Sequence, residues 1–477
     1  MWPVVSFRDP GGFCVTCDRR VWRVVGAGAC AEMEEFLASP TAARLISQRC
    51  LIPTRKLSAG EVEELRKAPH LGRTLEGREA GAVYEHERVE FPSFPYEWPP
   101  EMLAAAGRLT LDIAQAALAE GYGLKDATPY NVLFRGSQPV FIDLLSFEKR
   151  NPGDPVWKAH AQFCRMFLLP LLASKHWGMR PADAFAKRRD GLDPVEVYQL
   201  CGPVRRFLPP FLTLVSLPTW LSRRAASPSM YRERLLSNPD KARFILDSLF
   251  NRLRRALQRL EPPADKDTIW SNYAETHSYS ETNFAAKEQF VTAALEEFHP
   301  GRVLDVGANT GHFSARAARA GARVVAIDYD LGCVGTLWRR AQKENLDLQP
   351  LAVDLSRPSA AKGWRNRECP SFLERAAGGF DLVLLLAVLH HLLVTERVPL
   401  EEVLDVVSEL TTSLALIEYV GPEDPMFQTI ARGRDRLHAD LTLAAFESAC
   451  RRRFQIIRSQ PLEGAHRRLY LLRRNSG

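Results

Sequence analysis

No stretch of this 477-residue sequence stays apolar for the roughly 18 residues that crossing a bilayer requires. The nearest, FLPPFLTLVSLPTWL at 207–221, is broken by Pro209, Pro210 and Pro218 and reads as a buried or interface-facing loop. Contact with one membrane leaflet is the alternative reading. The N-terminus, MWPVVSFRDPGG, lacks the basic-then-apolar order of a secretory signal, so a cytoplasmic protein is expected. Cysteine is sparse and scattered, nine residues at 14, 17, 30, 50, 164, 201, 333, 369 and 450. An odd, unpatterned set excludes a disulfide framework and fits free thiols in a reducing compartment. Cys14 and Cys17 form a lone CxxC with no second pair and no nearby histidine, so no metal site is expected. Within Phe13-Cys14-Val15-Thr16-Cys17 they read as small residues of a hairpin strand. Excess charge is lacking too. Lys+Arg total 63 and Asp+Glu 57, and a net charge of +6 permits an anionic partner without demanding one.

What is present is ordinary globular composition, 46% hydrophobic and 25% charged, in a chain long enough for two or three domains. Residues 1–100 look like a strand-rich lobe, with a hairpin across GGFCVTCDRRVWRVV and a Pro/aromatic stretch, FPSFPYEWPP. Residues 101–238 look mainly helical, opening on MLAAAGRLTLDIAQAALAEG, which Gly121 and Gly123 stop. A basic bridging helix and linker occupy 239–268. Leu246, Leu249, Phe250, Leu253, Leu257 and Leu260 make one stripe of that helix, with Arg252, Arg254, Arg255 and Arg259 mostly elsewhere. Those arginines read as a solvated face ahead of an RNA-binding one. EPPADKD, 261–267, then leads into a last region at 269–477.

The last region carries the chemistry. In RVLDVGANTGHFSARAARAGARVVAIDYD, 302–330, an apolar strand runs into a glycine-bearing loop, a helix begins near Gly311, and a second strand ends at Asp328. This is a βαβ unit whose loop lets a ligand approach the backbone. A dinucleotide fingerprint, GxGxxG, fails because His312 occupies the third glycine position. What stands is Asp305-x-Gly307-x-Asn309-x-Gly311, which resembles the acidic-x-Gly-x-Gly-x-Gly loop of class I S-adenosylmethionine (SAM) dependent methyltransferases. Asn309 replaces the middle glycine, and asparagine tolerates left-handed backbone better than most residues.

The resemblance implies a Rossmann-like α/β fold: a seven-stranded, mainly parallel sheet closed by an antiparallel hairpin, which RFQIIRSQ and RRLYLLRR would supply. It implies SAM as cofactor, with Asp305 and the loop Gly307, Asn309 and Gly311 holding the methionine moiety. Asp328 would accept from both ribose hydroxyls and Asp354, after a third strand at 349–354, would meet the adenine amino group. Ala387 opens Ala387-Val388-Leu389-His390-His391-Leu392, which resembles the segment closing over SAM beside the substrate. The strand before it, 380–386, is continuously apolar, and Leu414–Tyr419 reads as a fifth strand. An imidazole suits the base that a protonated nucleophile needs, so His390 and then His391 are the catalytic candidates, against a packing or helix-capping role. Trp270, Tyr273, Tyr279 and Lys287 lie where such proteins often fold a segment over the SAM pocket, or else serve structure.

In the first half, Asp126-Ala127-Thr128-Pro129-Tyr130-Asn131, followed by Asp143 in Val140-Phe141-Ile142-Asp143, resembles the catalytic loop of protein-kinase-like phosphotransferases. There Asp-x4-Asn gives base and metal ligand and a later acid holds magnesium. Leu124 stands where that family has histidine, Leu144-Leu145 follow Asp143, and no glycine-rich loop precedes them. A recognition or interaction lobe is the favoured reading. Taken whole, with LIEYVGPEDPMF and RRLYLLRR contributing, the chain resembles bacterial two-part methyltransferases, including nodulation-protein-like ones. The expected activity is methyl transfer to a small-molecule or glycan-type acceptor. The alternatives are an RNA or protein methyltransferase, a bifunctional kinase–methyltransferase, and a non-catalytic SAM-binding scaffold.

Overall fold

Alternating side chains over 12–25 fold into the expected hairpin. Val4–Val5 (β1), Gly12–Cys17 (β2), Arg20–Val25 (β3), Thr54–Lys56 (β4) and Ala82–His86 (β5) form one antiparallel sheet in the order β1-β2-β3-β5-β4. Cys14 pairs with Arg23 and Cys17 with Arg20 across β2–β3. An odd spacing along a strand sends the two cysteines to opposite faces, so they cannot share a ligand. The computed structural model describes residues 4–6, 8–17, 19–68, 81–222, 235–263, 281–433 and 440–475. They divide into two compact units: residues 1–135, 139–262 and 361–370 form the first, and 136–138, 263–360 and 371–477 the second.

The first unit is less strand-rich at its start than its sequence suggests. Helices Ala27–Leu37, Pro40–Ser47 and Ala59–Lys67 interrupt the strands. Their start signals are local: Ser39 Oγ accepts from Ala42 N just before Pro40, and Ser58 forms a reciprocal capping box with Glu61. Phe13, Val15, Trp22, Val24, Leu57 and Val83 make the core on one face of the sheet. Phe36, from the first helix, stacks on Phe147 at 3.8 Å between ring centroids.

Helix Pro100–Leu118 is buried almost all round, as its Ala/Leu-rich sequence dictates. After it come Tyr122–Leu124 (β6), Val132–Arg135 (β7), Gln138–Phe141 (β8) and Phe147–Lys149 (β9), with β6 on β9 and β7 on β8. The basic helix spans Pro239–Leu260, with Leu246, Phe250, Leu253, Leu257 and Leu260 buried. It lies against Pro100–Leu118 where Gly107 leaves room: a Cβ there would come 3.1 Å from Phe167 Cδ1 and 3.4 Å from Leu257 Cδ1. Arg252, Arg255 and Arg259 are exposed, and Arg254 pairs with Asp112 at 2.7 Å. The stretch 207–221 is corrected from loop to mostly helix, with an irregular turn at Leu212–Ser216 continuing into Leu217–Ser222. Pro218 lies inside this unbroken helical run, directly after the widened turn at Leu212–Ser216 that departs from the regular ladder proline cannot complete.

The second unit is a seven-stranded sheet. Its strands are Arg302–Val306 (β10), Arg323–Asp328 (β11), Leu348–Ala352 (β12), Phe380–Leu385 (β13), Thr411–Val420 (β14), Phe454–Leu462 (β15) and Arg467–Arg474 (β16), ordered β12-β11-β10-β13-β14-β16-β15. The first five are parallel neighbours; β16 enters antiparallel between β14 and β15. Near-continuous apolar runs are required because both faces are covered. Phe290, Val291, Ala294 and Leu295 of helix Glu281–Phe298 pack over Val303, Leu382, Leu416 and Leu471. On the other face Phe446, from helix Leu443–Arg453, meets Tyr419 and Tyr470. The third strand stops at Ala352, so Asp354 lies in the turn beyond it rather than at the strand end. Strand order reverses between β10 and β13, and in open α/β sheets ligands bind outside the carboxyl ends of the strands at such a reversal. Among the described residues no helix is long and apolar enough to cross a membrane.

Candidate active site

The loop leaving β10 turns at the reversal point through three left-handed residues, Gly307 (φ +67°), Asn309 (φ +51°) and Gly311 (φ +77°). Steric room decides the two glycines as firmly as φ does. A Cβ on Gly307 would sit 2.2 Å from Val388 Cγ2, and one on Gly311 would sit 2.0 Å from Leu337 Cδ1. Asn309 manages the same backbone by bonding locally: its Oδ1 accepts from Thr310 N at 2.6 Å. Gly311 ends the loop and caps helix His312–Arg319. His312, which breaks the dinucleotide pattern, is bound to Glu288 at 2.6 Å, and Glu288 also holds Arg316.

Three of the acids follow from the strand ends. Asp305 is buried near the end of β10, with Ser314 Oγ donating to its Oδ2. Burial pushes its carboxyl up to about 7, with Ser314 and Lys287 opposing and Asp328 adding to the rise. Asp328 closes β11, and its two oxygens accept from Asn309 N (2.8 Å) and Asp330 N (2.9 Å). The amides lock its orientation and still leave acceptor capacity, since a carboxylate offers about four lone-pair sites. Burial raises its pKa while those amides lower it. Asp354 is half-buried, and its Oδ1 accepts from Ser356 N and Oγ at 2.9 and 2.6 Å.

After β13 the chain passes through Ala387 at φ +57°. A non-glycine residue held there costs about 1–3 kcal/mol and persists only where the surroundings impose it, as functional sites do. His390 follows, 1% exposed, and neither of its ring nitrogens has a hydrogen-bond partner among the described residues. The half-buried His391 ring lies 4.3 Å from it, centroid to centroid. Burial, with His391, Arg467 and Lys287 contributing, holds the His390 imidazole well below its ordinary pKa; burial and Arg467 also lower His391.

Those cations belong to a buried ionic network. Lys287 Nζ donates to Glu418 Oε2 at 2.7 Å, Arg467 Nη1 lies 3.4 Å from Glu418 Oε1, and Arg467 Nε and Nη2 fork onto Asp424 at 2.7 and 3.1 Å. The sequence pointed to Lys287 and to the strand Leu414–Tyr419 that carries Glu418, but not to Arg467 or Asp424. The signal available was a lone acid inside the apolar run LALIEYV, which demands a buried counter-charge. Trp270, Tyr273 and Tyr279 lie outside the described residues.

In the first unit, Asn131 and Asp143 meet at Ser146. Asn131 Nδ2 donates to Ser146 Oγ (3.0 Å) and Ser146 Oγ donates to Asp143 Oδ2 (2.6 Å). Asp126 is raised by burial and by Asp143. Arg23 of β3, almost fully buried, pairs with Asp143 at 2.9 Å and donates from Nε to His86 Nε2 at 3.1 Å. The other His86 nitrogen meets Thr54 Oγ1 at 2.7 Å, and burial beside Arg23 pushes His86 down to about 3. Arg23, His86 and Ser146 gave no sequence signal, because each is an ordinary residue until the sheet and loop meet. No group of three or more His, Cys, Asp or Glu suited to a metal occurs among the described residues.

Residues 249–454 match the family described as a methyltransferase domain. Over 98% of its length the chain is 29% identical to nodulation protein NoeA of Rhizobium meliloti (strain 1021), covering 95% of that protein. Among solved structures it is similar to a magnesium protoporphyrin IX methyltransferase from Synechocystis PCC 6803 with bound SAM, at 19% identity and TM-score 0.29 over 44% of this chain and 86% of that one. The N-methyltransferase NodS of Bradyrhizobium japonicum WM9 matches at 14% identity and TM-score 0.31, over 41% of this chain and 99% of that one.

Glu418 is fully buried between two cations. Glu418→Gln leaves Lys287 without its counter-charge, while Arg467 keeps Asp424, and is expected to destabilise the second unit by about 3–5 kcal/mol, read from urea denaturation.

Proposed function

Since this chain is a class I SAM-dependent methyltransferase, we propose that it transfers the methyl group to a small-molecule or glycan-type acceptor, with His390 taking the acceptor's proton. The observation that carries the catalytic assignment is a buried imidazole with no hydrogen-bond partner on either nitrogen among the described residues, one turn from the strained Ala387 and two residues after Val388, which packs against Gly307. Its lowered pKa keeps it neutral at physiological pH, so a lone pair is available as a base. SAM, when bound, supplies an electrophilic methyl group on a sulfonium. The residues present fit it. Asp305 and the loop Gly307, Asn309 and Gly311 would hold the methionine end, Asp328 the ribose diol, Asp354 the adenine amino group, and Ala387 with Val388 would lie over the loop. The small-molecule or glycan reading is supported by the mild net charge and by the basic helix, whose Arg254 is already paired with Asp112. It is supported too by the name of the nodulation protein, which covers nearly the whole chain.

Transfer of radiolabelled methyl from SAM into a cell extract, separated into protein, nucleic acid, lipid-glycan and small molecules, tests the acceptor class. Label is expected in the glycan or small-molecule fraction and lost in Asp305→Ala; label in protein or nucleic acid would overturn the acceptor assignment. With an acceptor in hand, His390→Gln should lower kcat by about 10²–10⁴-fold while leaving SAM affinity intact. Retained turnover would remove His390 from the chemistry.

Asp305 gives SAM binding a pH dependence whose sign is fixed. In the free protein its carboxyl is protonated below about 7, and the cationic methionine end selects the carboxylate. Binding below that point must release a proton. Calorimetry should show affinity rising about tenfold per pH unit up to about 7 and then levelling. In Asp305→Asn the profile should be weak and flat.

A second reading concerns the first unit alone. The meeting of Asn131 and Asp143 at Ser146, with Arg23 paired to Asp143 and Asp126 electrostatically coupled to it, supports a nucleotide-binding role for that cluster. Magnesium-dependent ATP binding that disappears in Asp143→Ala is the expected result, and absence of ATP binding rejects the reading.

A further inference from the structure

The proline-broken apolar stretch has no part in either cluster above. In the structure it joins three short helical pieces of the first unit: Pro194–Leu200, Arg205–Phe207 and the turn Leu212–Ser216 running into Leu217–Ser222. Its inner side is ordinary core, with Val197, Cys201, Phe211 and Val215 buried. Its outer side is not. Leu200, Val204, Phe207, Leu208, Leu217 and Leu221 are between 42% and 71% exposed. They are six of the twelve large apolar side chains exposed among the described residues, drawn from a stretch of only 22. Singly exposed apolar residues need no explanation, but a gathered patch does.

Trp220 ties the helical pieces that carry the six together. Its ring lies 6.0 Å from Phe207 and 6.5 Å from Tyr198, and its Nε1 donates to Tyr198 Oη at 3.2 Å. Leu217 and Leu221, one turn apart, project on the same side of their helix. The loop is anchored beneath: Ser216 Oγ donates to Arg206 O at 2.8 Å, and the Arg206 guanidinium lies over Tyr198 at 4.0 Å. The apolar side chains are therefore held outward by a fixed backbone.

Along the sequence this stretch carries charge of one sign, with Arg205 and Arg206 its arginines among the described residues. From Val197 to Arg232 the sequence contains no aspartate or glutamate, while arginines stand at 205, 206, 223, 224 and 232. The nearest acids on the N-terminal side are engaged, Glu196 with Arg188 at 2.9 Å and Asp193 with Arg165 at 3.8 Å. Arg205 is exposed between Val204 and Phe207. A surface that offers aliphatic and aromatic side chains edged by arginine fits the headgroup boundary of an anionic bilayer: apolar groups enter the acyl layer and cations meet phosphate. Tyr and Trp, each with an apolar body and a polar tip, suit the same depth. We propose that this face, centred on Phe207, Leu208, Leu217 and Leu221, docks the protein on an anionic membrane surface without spanning it.

The test is co-sedimentation of the full chain with vesicles, either of phosphatidylcholine alone or of equal parts phosphatidylcholine and phosphatidylglycerol. Binding is expected to the anionic vesicles and to be much weaker on the neutral ones. It should fall about tenfold in the double variant Phe207→Ser/Leu208→Ser, whose unchanged circular dichroism and cooperative thermal unfolding show that it folds. No binding by the wild-type chain, or equal binding by the variant, overturns the proposal. So does a wild-type dimer in sedimentation equilibrium that the same variant dissociates without any vesicle binding, which would give the face to a second copy of the chain.

Discussion

The second unit depends on how closely the loop after β10 can lie against its neighbours. Gly307 faces Val388 and Gly311 faces Leu337, both at distances that admit no side chain. Val388 belongs to the segment that leaves β13 and Leu337 to the helix Leu331–Glu344. The loop thus packs against the segments on either side of the strand-order reversal, and the left-handed residues let it make that turn. Everything else in the site is placed relative to this contact. Asp328 is locked by the amide of Asn309, and Ala387, His390 and His391 follow within six residues of β13's end.

Electrostatics explains how such a site stays charged where it must. Asp305 and His390 are buried, and burial drives both toward their neutral forms. Beside them Lys287, Glu418, Arg467 and Asp424 each have an opposite charge within hydrogen-bond reach. Two cations against two carboxylates keep the network neutral as a whole. Burial does most to depress His390, and His391, Arg467 and Lys287 add to it.

The first unit shows the same economy with other residues. Thr54, His86, Arg23, Asp143, Ser146 and Asn131 form a chain of polar contacts from the edge of the antiparallel sheet into the loops after β6 and β8. Arg23 can be buried only because Asp143 and a neutral His86 receive its hydrogens. The outward apolar face of 200–221 is the opposite case, where side chains fit for a core are held away from it by an anchored backbone.

The sequence by itself determined what local rules control. The β10 loop, the strand runs at 302–306 and 380–385 and the final hairpin are legible because buried parallel strands must be apolar throughout and a tight turn needs Gly or Asn. The basic helix at 239–260 is legible from a single leucine stripe. Helices at 27–37, 40–47 and 59–67 escaped notice beneath the strand pattern, though Ser39-Pro40 and Ser58 with Glu61 announced two of them. The placement of Asp354 slipped by two residues because strand ends are not encoded sharply. Only tertiary structure decided which charges meet. Lys287 and Glu418 are 131 residues apart, and Arg23 and Asp143 come from a strand and a distant loop. No periodicity records such pairings, since a buried ion pair is chosen by proximity in the folded chain and not by neighbours along it.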